Sequence, residues 1–251
     1  LAISLHERYG HISYDTLRTL PEFLKNKKEK IRCEACEKGK ATKPPSPKQP
    51  PQSRATKLLE RIHVDLIGPI DTPTPGKQNK YLMMMVEDHS RYMVTHAIPT
   101  KGNAEDAFIV IINKLEKAVS SAHERPIHLS QIQADWGGEF RNSKLITELN
   151  QRGITLKETG TKHSETDAIV ERANRTILEM SRTGLIVAGL PKGLWDKASD
   201  SAAYTKNRLT HKALKGKTPI EILLANDPVN ERKKLRSFGQ KVTCYDYEVK
   251  D

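Results

Sequence analysis

At 251 residues the chain is long enough for one large core with an appendage or two. It holds no apolar run of membrane-spanning length and no signal-peptide pattern, so a soluble, intracellular protein without a membrane partner is expected. Three cysteines (Cys33, Cys36, Cys244) exclude a disulfide framework, and Cys33-x-x-Cys36 points to metal or redox chemistry. The net charge of +11 is uneven. Residues 1–60 carry 13 basic and 7 acidic side chains, residues 61–186 carry 16 of each, and residues 187–251 carry 13 and 8. A neutral centre between basic flanks suits a polyanion gripped at the periphery; ordinary solubility charge is the plain alternative.

The first element is a candidate zinc site. His6 and His11 precede a Lys-rich stretch and Cys33-Glu-Ala-Cys36. Two imidazoles and two thiolates complete a tetrahedral, structural Zn²⁺ set with no open position, and the segment between them is too short and charged to bury a core unaided. Taken separately, a redox Cys-x-x-Cys or solvated histidines would explain each half. Thr42 to Arg54, with its prolines and basic residues, reads as an extended linker, either lying along DNA or serving as a plain spacer.

Three strands are expected next: Glu60 to Leu66, with Ile62, Val64 and Leu66 on one face and Asp65 near its exit, then Tyr81–Val86 and Tyr92–Ile98 across the polar turn 87–91. Asn103 to Ser120 reads as a helix with Asn103 as N-cap and Phe108, Ile111, Ile112 and Leu115 inward. A strand over 127–134 leads to Asp135, a short helix spans 143–152, and a fifth strand spans 153–157. A helix then carries Glu171, with Ile169, Ala173, Ile177, Met180 and Gly184 facing a core and Glu171, Arg175, Leu178 and Arg182 opposite. Helices over 199–208 and 218–225 come next, with Pro219 in the first turn of the latter, and residues 233–249 read as short strands. The pattern is a mixed α/β layer structure.

In such sheets, acids at strand ends gather in one crevice. Asp65, Asp135 and Glu171 are therefore candidates to hold two divalent metals for attack on a phosphodiester. Singly, each Asp is as well explained as a solvated turn residue. Lys162, His163, Arg172 and Arg175, around the start of the Glu171 helix, are candidate DNA contacts. Trp136, Trp195 and Cys244 read as packing residues.

Five phrases stand in order: Leu5-His-Glu-Arg-Tyr-Gly-His11, Cys33-x-x-Cys36-x-x-Gly-Lys40, His63-Val-Asp65-Leu-Ile-Gly-Pro69, Asp135-x-Gly-x-Glu-Phe140 and Val170-Glu171-Arg-Ala-Asn-Arg-Thr-Ile-Leu178. Together they resemble the integrase of copia-type LTR retrotransposons, a relative of retroviral integrases. The 35 residues between Asp135 and Glu171 match that family's Asp-Asp-Glu spacing. Stretches at 189–195, 217–223 and 235–242 also resemble the region downstream of the family's catalytic core.

The resemblance implies an RNase H-like mixed-sheet catalytic core preceded by a small helical His-His-Cys-Cys zinc domain. Its boundaries are expected as zinc domain 1–41, linker 42–57, core 58–210 and the start of a C-terminal region at 211–251. It implies metal-dependent joining of element cDNA 3′ ends to host DNA, with Asp65, Asp135 and Glu171 on Mg²⁺ (or Mn²⁺) and His6, His11, Cys33 and Cys36 on Zn²⁺. It further implies a homo-oligomer, acting in the nucleus after a cytoplasmic virus-like-particle stage. A nuclease that only cuts, or a catalytically lapsed DNA-binding remnant of a transposon polyprotein, are the alternatives. Two departures bear on that choice. Asp167-Ala168 stands where the family usually has Asn-Gly, stiffening the approach to Glu171, and the chain stops before the family's basic C-terminal region, which suggests a fragment.

Overall fold

The computed structural model describes residues 33–34, 54–134, 143–158 and 168–241. The backbone divides into two compact units, Leu1–Gln49 and Pro50–Asp251, and the sheet lies in the second. Its strands are β1 (Arg61–Ile67), β2 (Tyr81–Glu87), β3 (Met93–Ile98), β4 (Gln131–Ala134) and β5 (Thr155–Glu158). They pair in the order β3-β2-β1-β4-β5. The β3-β2-β1 side is an antiparallel meander, whereas β1, β4 and β5 run parallel, so β1 is the hinge between two pairing modes. The expected mixed sheet is present.

Period-two alternation sends β1 to both faces, and helices cover each. Ile62 and Val64 join Met83, Met85, Ile132 and Ala134 beneath α1 (Ala104–Ala122) and α2 (Ser143–Gln151), which contribute Phe108, Ile112, Leu145 and Leu149. On the other face, Met84 and Val86 meet α3 (Ala168–Ala188) through Val170, Ala173 and Ile177, and α4 (Trp195–Lys206) through Ala202 and Ala203. Small residues let α3 and α4 approach closely enough for Ser181 Oγ to reach Ser199 Oγ at 3.2 Å. Trp195 is buried and donates its indole N–H to the Thr72 carbonyl at 2.8 Å, the packing role expected of it.

Helix and strand ends obey side-chain chemistry. α3 stops at Gly189, whose φ of +63° lets Leu190 N–H reach Leu185 O and Gly189 N–H reach Ile186 O. α5 (Pro219–Leu224) opens with a Thr218–Glu221 capping box and Pro219 in its first turn, as expected. Gly68 comes after β1 at a φ of +140°, where a Cβ would lie 2.7 Å from the Lys80 carbonyl oxygen.

Several expectations are corrected. Asn103 precedes α1 but caps nothing with its side chain; residues 101–103 form a 3₁₀ turn, and Asn103 Oδ1 accepts from Thr100 Oγ1 instead. The strand expected from 127 begins only at Gln131. Ser120 Oγ takes the Ile127 N–H and Glu116 Oε1 the Leu129 N–H, so α1 side chains occupy donors a ladder would need. The helix expected at 199–208 starts at Trp195 and ends at Lys206. Asn207 then turns to β3, exchanging both side-chain hydrogen bonds with the Met93 backbone. Leu178, expected to face away from the core, packs against the buried cluster of Leu82, Leu185, Trp195 and Ala198. Over 233–241 no strand forms. Asp227 caps and Pro228 starts α6 (Pro228–Lys233), and Phe238 lies against Gly184. Residues 242–249 of that expected unit, Trp136 and Cys244 lie outside the described residues.

Candidate active site

Asp65 sits on β1 opposite Met84 of β2, on the sheet face that α3 crosses, and is partly exposed. Its carboxylate is held at both oxygens. Oδ1 accepts the Leu66 N–H at 2.8 Å, and Oδ2 accepts Nδ2 of Asn174, on α3, at 2.5 Å. Glu171 stands one helical turn before Asn174, exposed in the first turn of α3. Residues three apart on a helix are neighbours, so the Asn174 contact delivers the Glu171 end of α3 to Asp65. Arg172 and Arg175 are on the same stretch of α3, Arg172 exposed and Arg175 exposed. The parallel register pairs Val64 with Ala134, the residues immediately before Asp65 and Asp135.

Asp135, Lys162 and His163 lie outside the described residues, as do His6, His11 and Cys36; of the expected zinc ligands Cys33 alone is described, and it is partly buried. Among the described residues no three His, Cys, Asp or Glu side chains gather into a metal-holding group. Asp65 and Glu171 each carry the hard carboxylate oxygens that Mg²⁺ takes as ligands. Asp65 keeps lone pairs beyond those its two partners occupy. Asn174 Oδ1 is a buried acceptor without a hydrogen-bond partner, able to accept a hydrogen bond from a water or ligand at this place.

A second polar group, unexpected from the sequence, occupies the β2–β3 turn. Asp88 and Ser90 are fully buried and Glu87 nearly so. The Asp88 carboxylate accepts from Arg61 Nη1 (3.1 Å), Arg91 Nη1 (2.7 Å) and the Ala55 N–H (2.9 Å), with His63 Nε2 at 3.7 Å. Burial pushes its pKa up, but His63, the Ala55 N–H and the Arg91 charge outweigh that and hold it at about 2. Glu87 goes the other way. Burial raises its pKa despite hydrogen bonds from Ser90, His89 and Leu59.

Neither Asn174 nor this polar knot is among the residues that the sequence singles out. The i,i+3 spacing from Glu171 is the available signal for Asn174; nothing in the run Glu87-Asp-His-Ser-Arg91 marks it as buried rather than solvated.

No family model matches the chain. It is 28% identical over 208 residues to the retrovirus-related Pol polyprotein from transposon TNT 1-94 of Nicotiana tabacum, covering 81% of this chain and 15% of that one. It is 26% identical over 189 residues to the transposon Ty1-DR4 Gag-Pol polyprotein of Saccharomyces cerevisiae, covering 75% and 11%. The chain thus spans only a small part of these curated relatives. In structure it matches the HTLV-2 integrase catalytic core domain in complex with magnesium, with a TM-score of 0.50 at 20% identity, over 68% of this chain and 99% of that one. It also matches a chain of the simian T-cell lymphotropic virus intasome in complex with the PP2A regulatory subunit B56 gamma, with a TM-score of 0.56 at 16% identity, over 98% and 81%. The relatives are Pol and Gag-Pol polyproteins of copia-type transposons, and the fold is that of retroviral integrase catalytic cores, RNase H-like.

Proposed function

We propose that this chain, a relative of copia-type transposon Pol polyproteins with the fold of a retroviral integrase core, is the integrase segment of an LTR-retrotransposon polyprotein. The observation that carries the reading is the Asn174–Asp65 hydrogen bond, which ties the strand carboxylate to the helix turn bearing Glu171. The Val64–Ala134 pairing supports Asp135 as the third acid, since the chain enters Asp135 directly after that pair.

The reaction is a phosphoryl transfer. A water or a cDNA 3′-hydroxyl loses its proton and attacks phosphorus in line, the new P–O bond forms, and the displaced 3′ oxygen leaves and takes a proton. Mg²⁺ or Mn²⁺ held by Asp65, Asp135 and Glu171 would favour the deprotonated attacking oxygen and neutralise charge on the leaving one. Asn174 keeps the Asp65 carboxylate in one orientation. Arg172 and Arg175, with Lys162 and His163, offset phosphate charge beside Glu171. His6, His11, Cys33 and Cys36 are assigned to a structural Zn²⁺. Element cDNA and host DNA are the substrates. Joining two cDNA ends requires more than one protomer, and the site of action is the nucleus, after a cytoplasmic particle stage.

A strand-transfer assay tests this with a labelled terminal-repeat duplex, a plasmid target and Mg²⁺ or Mn²⁺. Labelled plasmid is expected from the parent and not from Asp135→Asn or Glu171→Gln. Shortened oligonucleotide without joining would make the protein a nuclease, and no product from the parent would defeat the enzymatic reading.

A further inference from the structure

Beyond the carboxylates, four cationic side chains, Arg54, Arg91, Arg172 and Lys206, gather at one end of the sheet around a neutral His211. Arg54 is the organiser. Its Nη1 donates to the Ala213 carbonyl at 2.7 Å and its Nη2 to the His89 carbonyl, so it bridges the β2–β3 turn to the loop after α4. Its Nε is buried without a hydrogen-bond partner. Arg91 closes the same turn, two residues past His89. His211 stands two residues before Ala213 and accepts that residue's N–H on Nδ1. Lys206 ends α4.

These groups feel one another. Arg91 has its pKa lowered by burial, then by the charges of Arg54 and Arg172 against the pull of Asp88 and Glu87. His211 is lowered by burial and by Lys206, Arg91 and Arg54. Among the described residues, the acids that act on Arg91 are Asp88, already shared between Arg61 and Arg91, and Glu87, tied up by backbone N–H groups. The cations therefore outnumber the acids available to neutralise them.

We propose that this surface, from Arg172 past Arg91 and Arg54 to Lys206, is a track for the phosphate backbone of duplex DNA leading away from the carboxylates. A polyanion relieves the mutual repulsion of the cations and releases its own counterions. Arg54 and Arg91, whose guanidinium groups already donate hydrogen bonds, act through their charge, while the exposed Arg172 offers a guanidinium fork that matches phosphate oxygens. A splayed single strand would need rings on which to stack its bases. Among the described residues, Tyr204 is the one exposed Phe, Trp or Tyr, and its ring is covered by the Arg208 guanidinium at 3.3 Å. The choice of DNA as the polyanion rests on the proposed integrase reading; the track itself does not.

The test is fluorescence anisotropy with the 251-residue chain and a short labelled duplex in buffer without added Mg²⁺ or Mn²⁺ and without chelator, titrated from about 50 to about 200 mM salt. Lys206→Gln and Arg54→Gln are each expected to reduce the slope of log affinity against log salt by about 1, equally for unrelated sequences. Arg54→Lys, which keeps the charge but not the fork that ties Ala213 to His89, is expected to keep the parent's slope. Unchanged slopes in the Gln variants overturn the track. So does an equal loss in Lys114→Gln/Lys117→Gln on α1, which would show net charge alone, or tighter binding of a single-stranded RNA of the same length. Turnover is read separately in Mg²⁺. A parent without joining activity defeats the integrase reading while the slopes still judge the track, and altered joining without altered slopes does the reverse.

Discussion

At the level of single residues, the proposed pairing of Asp65 with Glu171 needs a link between strand and helix, and Asn174 is a side chain of α3 that bonds Asp65 directly. It touches Asp65, not substrate, so its role is positioning. Asn174→Ala is expected to lower turnover by roughly 10–100-fold, the usual cost of losing a partner that orients a ligand. Affinity for DNA without added Mg²⁺ or Mn²⁺ should be unchanged, and a matching loss of DNA binding would argue against positioning. Asp88 carries a different prediction. Its pKa of about 2 in the folded protein lies below its ordinary 3.8. Between those values the unfolded chain binds a proton that the folded chain refuses. The stability from Asp88 is thus present above pH 3.8 and lost as pH falls toward 2. Urea midpoints measured from about pH 5 down to about pH 2 should fall more steeply for the parent than for Asp88→Asn. Parallel curves would sink the assignment. Glu87, raised from 4.5, acts with the opposite sign and in a higher window, since its contribution is lost as pH rises through its folded pKa.

Among the elements, β3 is the one whose outer edge is met by a side chain acting as backbone. Asn207 gives Met93 both an acceptor at 2.8 Å and a donor at 2.7 Å, and both residues are buried. Asn207→Ala strands a buried N–H and a buried C=O, so we expect a loss of about 2 kcal/mol and faster amide exchange at Met93. An unshifted denaturation midpoint would mean that water replaces the Asn side chain. Phe108 tests the opposite layer. It is fully buried in α1 against the face of β1 that does not carry Asp65. Phe108→Ala is expected to cost about 3–5 kcal/mol.

For the whole molecule, the arrangement separates folding from chemistry. The second unit has its own two-faced sheet, so its stability rests on apolar burial and not on metal. On the proposed zinc assignment, chelation should remove that metal and leave the thermal transition of the second unit in place. Collapse of both together would contradict the assignment of His6, His11, Cys33 and Cys36 to a structural site confined to the first.

Periodicity alone identifies most elements of the core, because a strand buried on one face and a helix with one apolar stripe leave their repeat in the residue order. That holds for Ile62, Val64 and Leu66 and for Ala173 and Ile177. The placement of Asp65 at a strand exit and Glu171 at a helix start also suggests a shared site without knowledge of any contact. Boundaries are less legible wherever a distant side chain competes for the backbone, as Ser120 and Glu116 do at 127–129. The same is true of polar residues. Asp88 in a turn and Asn174 on a helix look solvated in sequence, since nothing local reveals that Arg61, Arg91 or Asp65 will meet them. Pattern along the chain decides which residues leave water together; which charges then face one another is decided only when the elements pack.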